Sequence, residues 1–514
     1  MASIVKSCAI CGVDGYVVDV ETKTIVGQPM ISIVGLGDTA VKEAKERVES
    51  AIVDAHFIFP EMKIVINLAP SDLKKSGSHF DLPIAIGLLI EDGQVVIKRK
   101  EQFAFFGELS LNAMIRGCNG ILPMVIAAKN LGIKNIIVPK GNVAEASIVK
   151  GLNVFGFSSL RDVVEFLENR KEYANTVDDI LEVPRDKLFD LDFIDVQGQD
   201  SLIEFIVVAA AGGHNMLMIG PPGCGKSMIA KRIPSILPSM TENESLEITK
   251  IYSVAGLLKE NKCLITTRPF RAPHHNASLN SLIGGGNSAT PGEISLAHNG
   301  VLFLDEITEF SKKTLDSLRQ PMEDKKVTIS RVKYTNSYPA NFMLIAAMNP
   351  CACGYYGNQK CKCTDYEVLK YRQKISGPIS DRIDIQKYVQ PVDFMNLSNF
   401  SNNVSSRDLR ERVEAARKVQ NKRFENYENI NCNAQMSQSL IKEHCVLEEE
   451  SRKVMQLAYD KFKYSARSFH KYLKVARTFA DMEESEKIRK KDITSALMSR
   501  DMDKDRVNMT IVKG

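Results

Sequence analysis

The residues best suited to chemistry lie between Gly220 and Ser227, in the segment GPPGCGKS. Gly220, Gly225, Lys226 and Ser227 occupy the fixed positions of G-x-x-x-x-G-K-[ST], and Pro221, Pro222, Gly223 and Cys224 fill the variable ones. In such a loop the glycines let successive backbone N–H groups converge on the β- and γ-phosphates of a nucleotide. The lysine adds a point charge, and the serine hydroxyl can sit on Mg²⁺. Apolar residues 216–219 come just before the loop and MIAKRIPSIL just after, so a buried strand is expected to enter it and a helix to leave it, the context the motif requires. A second half of the site is VLFLDE, residues 301–306, where an apolar run predicts a buried strand with Asp305 and Glu306 at its carboxyl end. Ligands of doubly wound sheets bind there, so Asp305 is expected to hold the Mg²⁺ hydration shell and Glu306 to orient and activate the attacking water. FMLIAAMNP, residues 342–350, predicts another buried strand, ending at Asn349, whose amide can reach the γ-phosphate and the water.

Two further groups of residues could do chemistry. Cys351, Cys353, Cys361 and Cys363 form a C-x-C-x₇-C-x-C cluster, which can close a tetrahedral Zn²⁺ site; free buried thiols are the alternative. The segments TTRPFRAPHHN, residues 266–276, and EDKKVTISRVKYTNSYP are locally basic, and the second reads as a hairpin with Arg331 and Lys333 near its tip. Arg271, Arg331 and Lys333 are therefore candidates for tracking DNA phosphates, beside aromatic or histidine side chains that stack on bases. The alternative for Arg271, His274 and His275 is a role in bracing the nucleotide site or a subunit interface.

The elements that must position these residues are those of an ordinary globular chain. With 514 residues and 44% hydrophobic content, about three domains of roughly 100 to 200 residues each are expected. Residues 1–165 alternate short strands with helical patterns and predict a mixed α/β domain. Residues 166–198 form a charged connector, 199–394 the nucleotide-binding α/β core with a parallel sheet, 395–500 a polar loop and a helical lid, and 501–514 a tail. Eleven cysteines are too few for a disulfide scaffold in a chain this long. No apolar run of about 18 residues occurs and no secretory leader is evident, so a cytoplasmic protein without a membrane partner is expected. A net charge of +4 excludes a chain that grips polyanions over its whole surface; any such contact must be local.

GELSLNAMIRGCNGILPMVIAAKNLGIKNIIVPKGN resembles the α+β proteolytic domain of Lon proteases. Where those enzymes carry a catalytic serine and lysine, this chain has His79 and Leu122, so the resemblance implies a catalytically inactive Lon-like domain without peptidase activity. Asn349 matches the sensor-1 position of AAA+ ATPases. GPISDRIDI resembles the arginine-finger segment of the AAA+ branch that holds magnesium chelatases and MCM helicases, with Arg382 as the finger acting on an adjacent subunit. Arg467, in YSARSFHKYLKVARTFADME, matches that branch's sensor-2 arginine. In order and wording the chain is similar to the ComM/YifB family of magnesium-chelatase-like AAA+ ATPases. That resemblance implies ATP and Mg²⁺ as ligands, a hexameric ring, pore loops at the two basic segments, and DNA branch migration in recombination and natural transformation. A chelatase-like or protein-remodelling motor with a non-nucleic substrate is the alternative.

Overall fold

The structure, a computed structural model, describes residues 2–97, 100–170, 173, 189–258, 264–286, 289–331, 334–391, 404–427 and 430–503. Lys333, much of the charged connector, most of the polar loop and most of the tail lie outside the described residues. The chain divides into two compact units. The first comprises residues 1–182, 242–266 and 330–338, and the second residues 183–241, 267–329 and 339–514. Chain order and spatial order therefore differ, because two stretches that follow the phosphate loop in sequence belong to the first unit.

In the first unit, β1 (Ser3–Cys11) and β2 (Asp14–Ile25) form an antiparallel hairpin with Ser3 opposite Thr22 and Cys11 opposite Asp14. With β3 (Met30–Val34), β4 (Lys63–Ala69), β5 (Phe103–Phe105), β8 (Asn135–Pro139) and β9 (Asn153–Phe157) they build a mixed sheet in the order β3-β4-β2-β1-β5-β8-β9. β6 (Glu108–Leu109) and β7 (Ile115–Arg116) pair separately. The helix Asp81–Glu91 is buried over nearly all its length, as its apolar sequence LPIAIGLLI requires. The helix Thr39–Asp54 instead buries one stripe (Val41, Ala44, Val48, Ala51, Ile52) and starts at Asp38, whose carboxylate accepts from Val41 N. The helix Glu242–Val254 packs on the helix Ile121–Asn130, where Gly120 N donates to Ser253 O at 3.0 Å and Ser253 Oγ bonds Glu145.

The two residues expected from sequence to stand where a Lon dyad would are both buried. His79 is buried; its Nε2 lies 2.9 Å from the Cys8 carbonyl, and burial pulls its pKa down to about 4. Leu122 is fully buried on its helix. Between pH 6.5 and 4 the unfolded chain takes up a proton at this imidazole that the folded chain does not, so stability is lost as pH falls through that window. Complete charging of the ring would cost up to about 3 kcal/mol. His79→Gln keeps an N–H for the Cys8 carbonyl and removes the titration. Thermal melts from pH 7 downward should show a shallower acid loss for this variant than for the wild type, and parallel curves would contradict the assignment.

The second unit carries five parallel strands, β10 (Met216–Ile219), β11 (Phe270–Arg271), β14 (Val301–Leu304), β17 (Met343–Met348) and β18 (Ile385–Tyr388), in the order β11-β14-β17-β10-β18. β10, β14 and β17 are buried at every residue, which is why each reads as an unbroken apolar run. β12 (Gly284–Gly285) pairs with β13 (Thr290–Pro291); β15 (Lys326–Arg331) pairs with β16 (Tyr334–Pro339), the hairpin expected from sequence, whose residues 330–338 belong to the first unit. The C-terminal part is helical: Ser406–Arg423, Gln438–His444, Glu449–Phe462, Ala466–Met482 and Lys490–Leu497.

Candidate nucleotide site

The central strand β10 ends at Ile219 and opens into the phosphate loop. Gly220 sits against the residue that follows β18: a Cβ there would meet the Val389 carbonyl at 2.6 Å. Gly225 has φ +85°, a left-handed turn, before the helix Lys226–Ile236 begins. No side chain caps that helix, so its first-turn N–H groups have no side-chain acceptor and suit an anion. Lys226 Nζ donates to the carbonyls of Gly220 at 2.7 Å and Pro221 at 2.9 Å and lies 3.4 Å from Asn349 Oδ1. The Ser227 hydroxyl donates to Asp305 Oδ2 at 2.5 Å. A lysine over glycine-loop carbonyls and a hydroxyl on a carboxylate are a donor set that fits a triphosphate with a divalent cation.

Sheet register explains how three distant sequence segments meet. Ile219 of β10 pairs with Met348 of β17, and Leu304 of β14 with Ala346, so Gly220, Asn349 and Asp305 all emerge at the carboxyl edge. Glu306 follows with φ 47° and ψ 49°, left-handed for a residue with a side chain, and its backbone N–H donates to Asp305 Oδ1 at 3.0 Å. Its carboxylate is exposed and lies 3.7 Å from His275 Nδ1. His275 thus stands beside Glu306, a placement that favours the bracing alternative for this residue. Arg271 is likewise engaged: its guanidinium grips Glu293 at 2.6 and 2.7 Å in a two-point pair. This pairing fits the bracing alternative for Arg271. Among the DNA candidates, Arg331 ends β15 and Lys333 is outside the described residues.

Arg382 and Arg467 are not placed in this cluster; both reach residues of the segment 378–381 instead. Arg382 donates to the Pro378 carbonyl at 2.6 Å and pairs with Glu323, while Arg467 Nη1 lies 3.9 Å from Asp381 Oδ2. β18 runs parallel to β10 with Ile385 opposite Met216, so Arg382 precedes the amino edge of the sheet. A four-residue strand spans about 13 Å, which separates Arg382 from the phosphate loop of its own chain.

Past Asn349, the four cysteines converge. Their sulfurs lie within 4.8 Å of one another, with Cys351 to Cys353 at 3.3 Å, Cys353 to Cys361 at 3.6 Å and Cys351 to Cys361 at 3.8 Å. Tetrahedral zinc with sulfurs about 2.3 Å away would place them roughly 3.8 Å apart, so the donor set fits. Backbone N–H groups of Lys362 and Tyr355 and the Cys351 thiol draw Cys353 down to about 6. Cys363, despite an N–H from Cys353 that favours its thiolate, is pushed up to about 12 by the Cys353 sulfur. Four thiols this close cannot all ionise without a cation among them.

Sequence reasoning missed His214 and Asn215, which read as breaks in an apolar run and prove to be ligands of the arginine segment. Asn215 Nδ2 donates to the Arg382 carbonyl at 2.9 Å, and His214 Nδ1 lies 3.3 Å from Asp384 Oδ2.

Known families and proteins resemble this chain over nearly its whole length. The family described as "Magnesium chelatase, subunit ChlI" matches residues 192–397. "Subunit ChlI of Mg-chelatase" matches residues 20–142, and "Magnesium chelatase, subunit ChlI C-terminal" residues 403–500. The chain is 38% identical over 506 residues to the Competence protein ComM of Haemophilus influenzae, covering 97% of each. It is 38% identical over 505 residues to the uncharacterized protein YifB of Escherichia coli, covering 98% of this chain and 97% of that one. A more distant likeness, 24% over 176 residues, joins it to Lon protease 2 of Bacillus subtilis, covering 30% of this chain and 32% of that protease.

Proposed function

Because the chain belongs to the ComM/YifB family of magnesium-chelatase-like AAA+ ATPases, we propose that it is an ATP-hydrolysing ring motor, a homohexamer, that migrates branched DNA in the cytoplasm during recombination and natural transformation. The observation that carries the ATPase half is the meeting of Lys226, Ser227, Asp305, Glu306 and Asn349 at one sheet edge. Lys226 and the loop N–H groups hold the β- and γ-phosphates, and Ser227 with Asp305 holds Mg²⁺. When bound, Mg²⁺ neutralises the phosphate charge. Glu306 orients a water and takes its proton, Asn349 fixes that water from the adjacent strand, and Arg382 of a neighbouring subunit stabilises the charge that develops. Arg467, near Arg382, is assigned to the same interface.

The DNA half is supported by the name of the Haemophilus influenzae relative, a competence protein, and by the basic hairpin β15–β16. Among the described residues no helix is long and apolar enough to cross a membrane. ATPase rates measured with single-stranded, duplex and four-way-junction DNA, and with protoporphyrin for contrast, test the reading. Branched DNA is expected to stimulate hydrolysis and protoporphyrin is not. Replacing Arg331 and Lys333 by alanine should weaken DNA binding and flatten its salt slope by about one unit for each phosphate left without its cationic partner. Stimulation by protoporphyrin alone would move the assignment to the chelatase-like alternative.

A further inference from the structure

The arginine segment must keep its aim while the nucleotide site behind it changes state, and the structure shows what holds it. Asn215 stands immediately before β10, the strand that carries the phosphate loop. Its side chain bonds in two directions: Oδ1 accepts from Leu344 N of β17 at 2.8 Å, and Nδ2 donates to the Arg382 carbonyl at 2.9 Å. Its backbone carbonyl accepts from both Asp384 N at 3.0 Å and Ile385 N at 3.1 Å. One residue thus ties together the strand leading to Lys226, the strand leading to Asn349 and the segment bearing Arg382.

His214 extends the tie into the helical lid. It is fully buried, with Nδ1 3.3 Å from Asp384 Oδ2 and Nε2 2.8 Å from Thr478 Oγ1. Thr478 lies on the helix Ala466–Met482, the helix that carries Arg467. The chain of bonds continues from Thr478 to Asn433 at 3.0 Å and from Asn433 to Asp481 at 2.7 Å. Buried, fully bonded polar networks of this kind fix one arrangement, since breaking any link strands a polar group away from water.

We propose that Asn215, supported by His214, is the positioning residue of the arginine finger. It couples the nucleotide site of one subunit to the finger that the same subunit presents to its neighbour. This rests on the reading of Arg382 as a finger acting between subunits. The Asn215 amide donor fixes the Arg382 backbone, and the two backbone bonds to Asp384 and Ile385 fix the direction in which the segment leaves the sheet. A movement at the amino end of β10 is passed to Arg382 with no intervening flexible link.

Asn215→Asp separates the two halves of the residue. The acceptor for Leu344 N is kept, whereas the donor to the Arg382 carbonyl is replaced by an oxygen that repels it. A displacement of about 1 Å at such a group costs on the order of 10²-fold in rate, so kcat should fall by about that factor while binding of a fluorescent ATP analogue is unchanged. Asn215→Ala removes both side-chain bonds without adding charge and should show the same pattern. The deciding measurement mixes either variant with Glu306→Gln subunits, which hydrolyse nothing but keep an intact finger, alongside an Arg382→Ala mixture. Recovery of hydrolysis in both mixtures supports the proposal, because the variant's own nucleotide site is then sound and only its finger was lost. Recovery with Arg382→Ala but not with the Asn215 variants overturns it and makes Asn215 a structural residue of β10. Wild-type kcat in both Asn215 variants also overturns it. Recovery in neither mixture, with co-assembly verified, overturns the finger between subunits itself, and the proposal with it.

Discussion

Rings assembled from Arg382→Ala and Glu306→Gln subunits are expected to hydrolyse ATP, although each variant alone is silent. The expectation follows from sheet geometry. Lys226, Asp305 and Asn349 stand at the carboxyl edge of the five-stranded sheet, whereas Arg382 precedes Ile385 at its amino edge, opposite Met216. No rotamer of Arg382 spans the sheet, so if Arg382 serves a phosphate loop it must be that of another copy. An arginine of this kind contributes roughly 10³ to 10⁵ in rate, so Arg382→Ala should retain nucleotide binding and lose nearly all turnover. Glu306→Gln should bind and not hydrolyse, because an amide cannot take the water's proton. In an equimolar random mixture, roughly a quarter of interfaces join an intact Glu306 to an intact Arg382, and activity should return in about that proportion. Lys226→Ala removes the charge over the phosphates and should abolish binding itself. If co-assembled mixtures of the two silent variants stay silent, the shared interface is wrong.

The parts of this site that were legible in sequence are those written in local pattern. VLFL and MLIAAM read as buried strands because a parallel sheet covered on both faces leaves no polar alternation. The helical character of the lid is legible because its segments carry apolar stripes, as in the helix Ala466–Met482 that Ser465 caps. What stayed hidden depends on long-range contact. Nothing in the residues of Glu242–Val254 says that this helix packs on Ile121–Asn130, far back in the chain. The helix Gln438–His444 is too short for its period to stand out. Arg271 looked available because a sequence does not show the Glu293 carboxylate that occupies it. His214 and Asn215 looked like punctuation because polar residues between apolar runs usually are, and only the folded register turns them towards the Arg382 segment.

Freshly purified, reduced protein is expected to carry one zinc per chain, and losing it should impair hydrolysis as well as local stability. The cluster sits immediately after Asn349, and Cys351 is fully buried two residues beyond it. Between the first and last pairs of cysteines, Gly354 has φ +86° and approaches the phosphate loop so closely that a Cβ there would lie 2.9 Å from Pro222 Cδ. The loop thus touches the nucleotide site from two sides, through the end of β17 and through Pro222. Structural zinc bound by thiolates supplies apparent free energies of about 10 to 16 kcal/mol in small domains, far more than the hydrogen bonds of a loop this short. Cys361→Ser keeps the size and breaks the ligand set, so elemental analysis should read well below one zinc per chain and kcat should fall with it. Gly354→Ala leaves all four sulfurs in place but strains the backbone and presses on Pro222. It should retain zinc and weaken nucleotide binding, which separates metal content from the contact the metal braces. Wild-type protein with well under one zinc per chain would count against the metal site. A zinc-free Cys361→Ser variant with unchanged kcat would show instead that the metal holds only its own loop and that Asn349 is positioned by β17 alone.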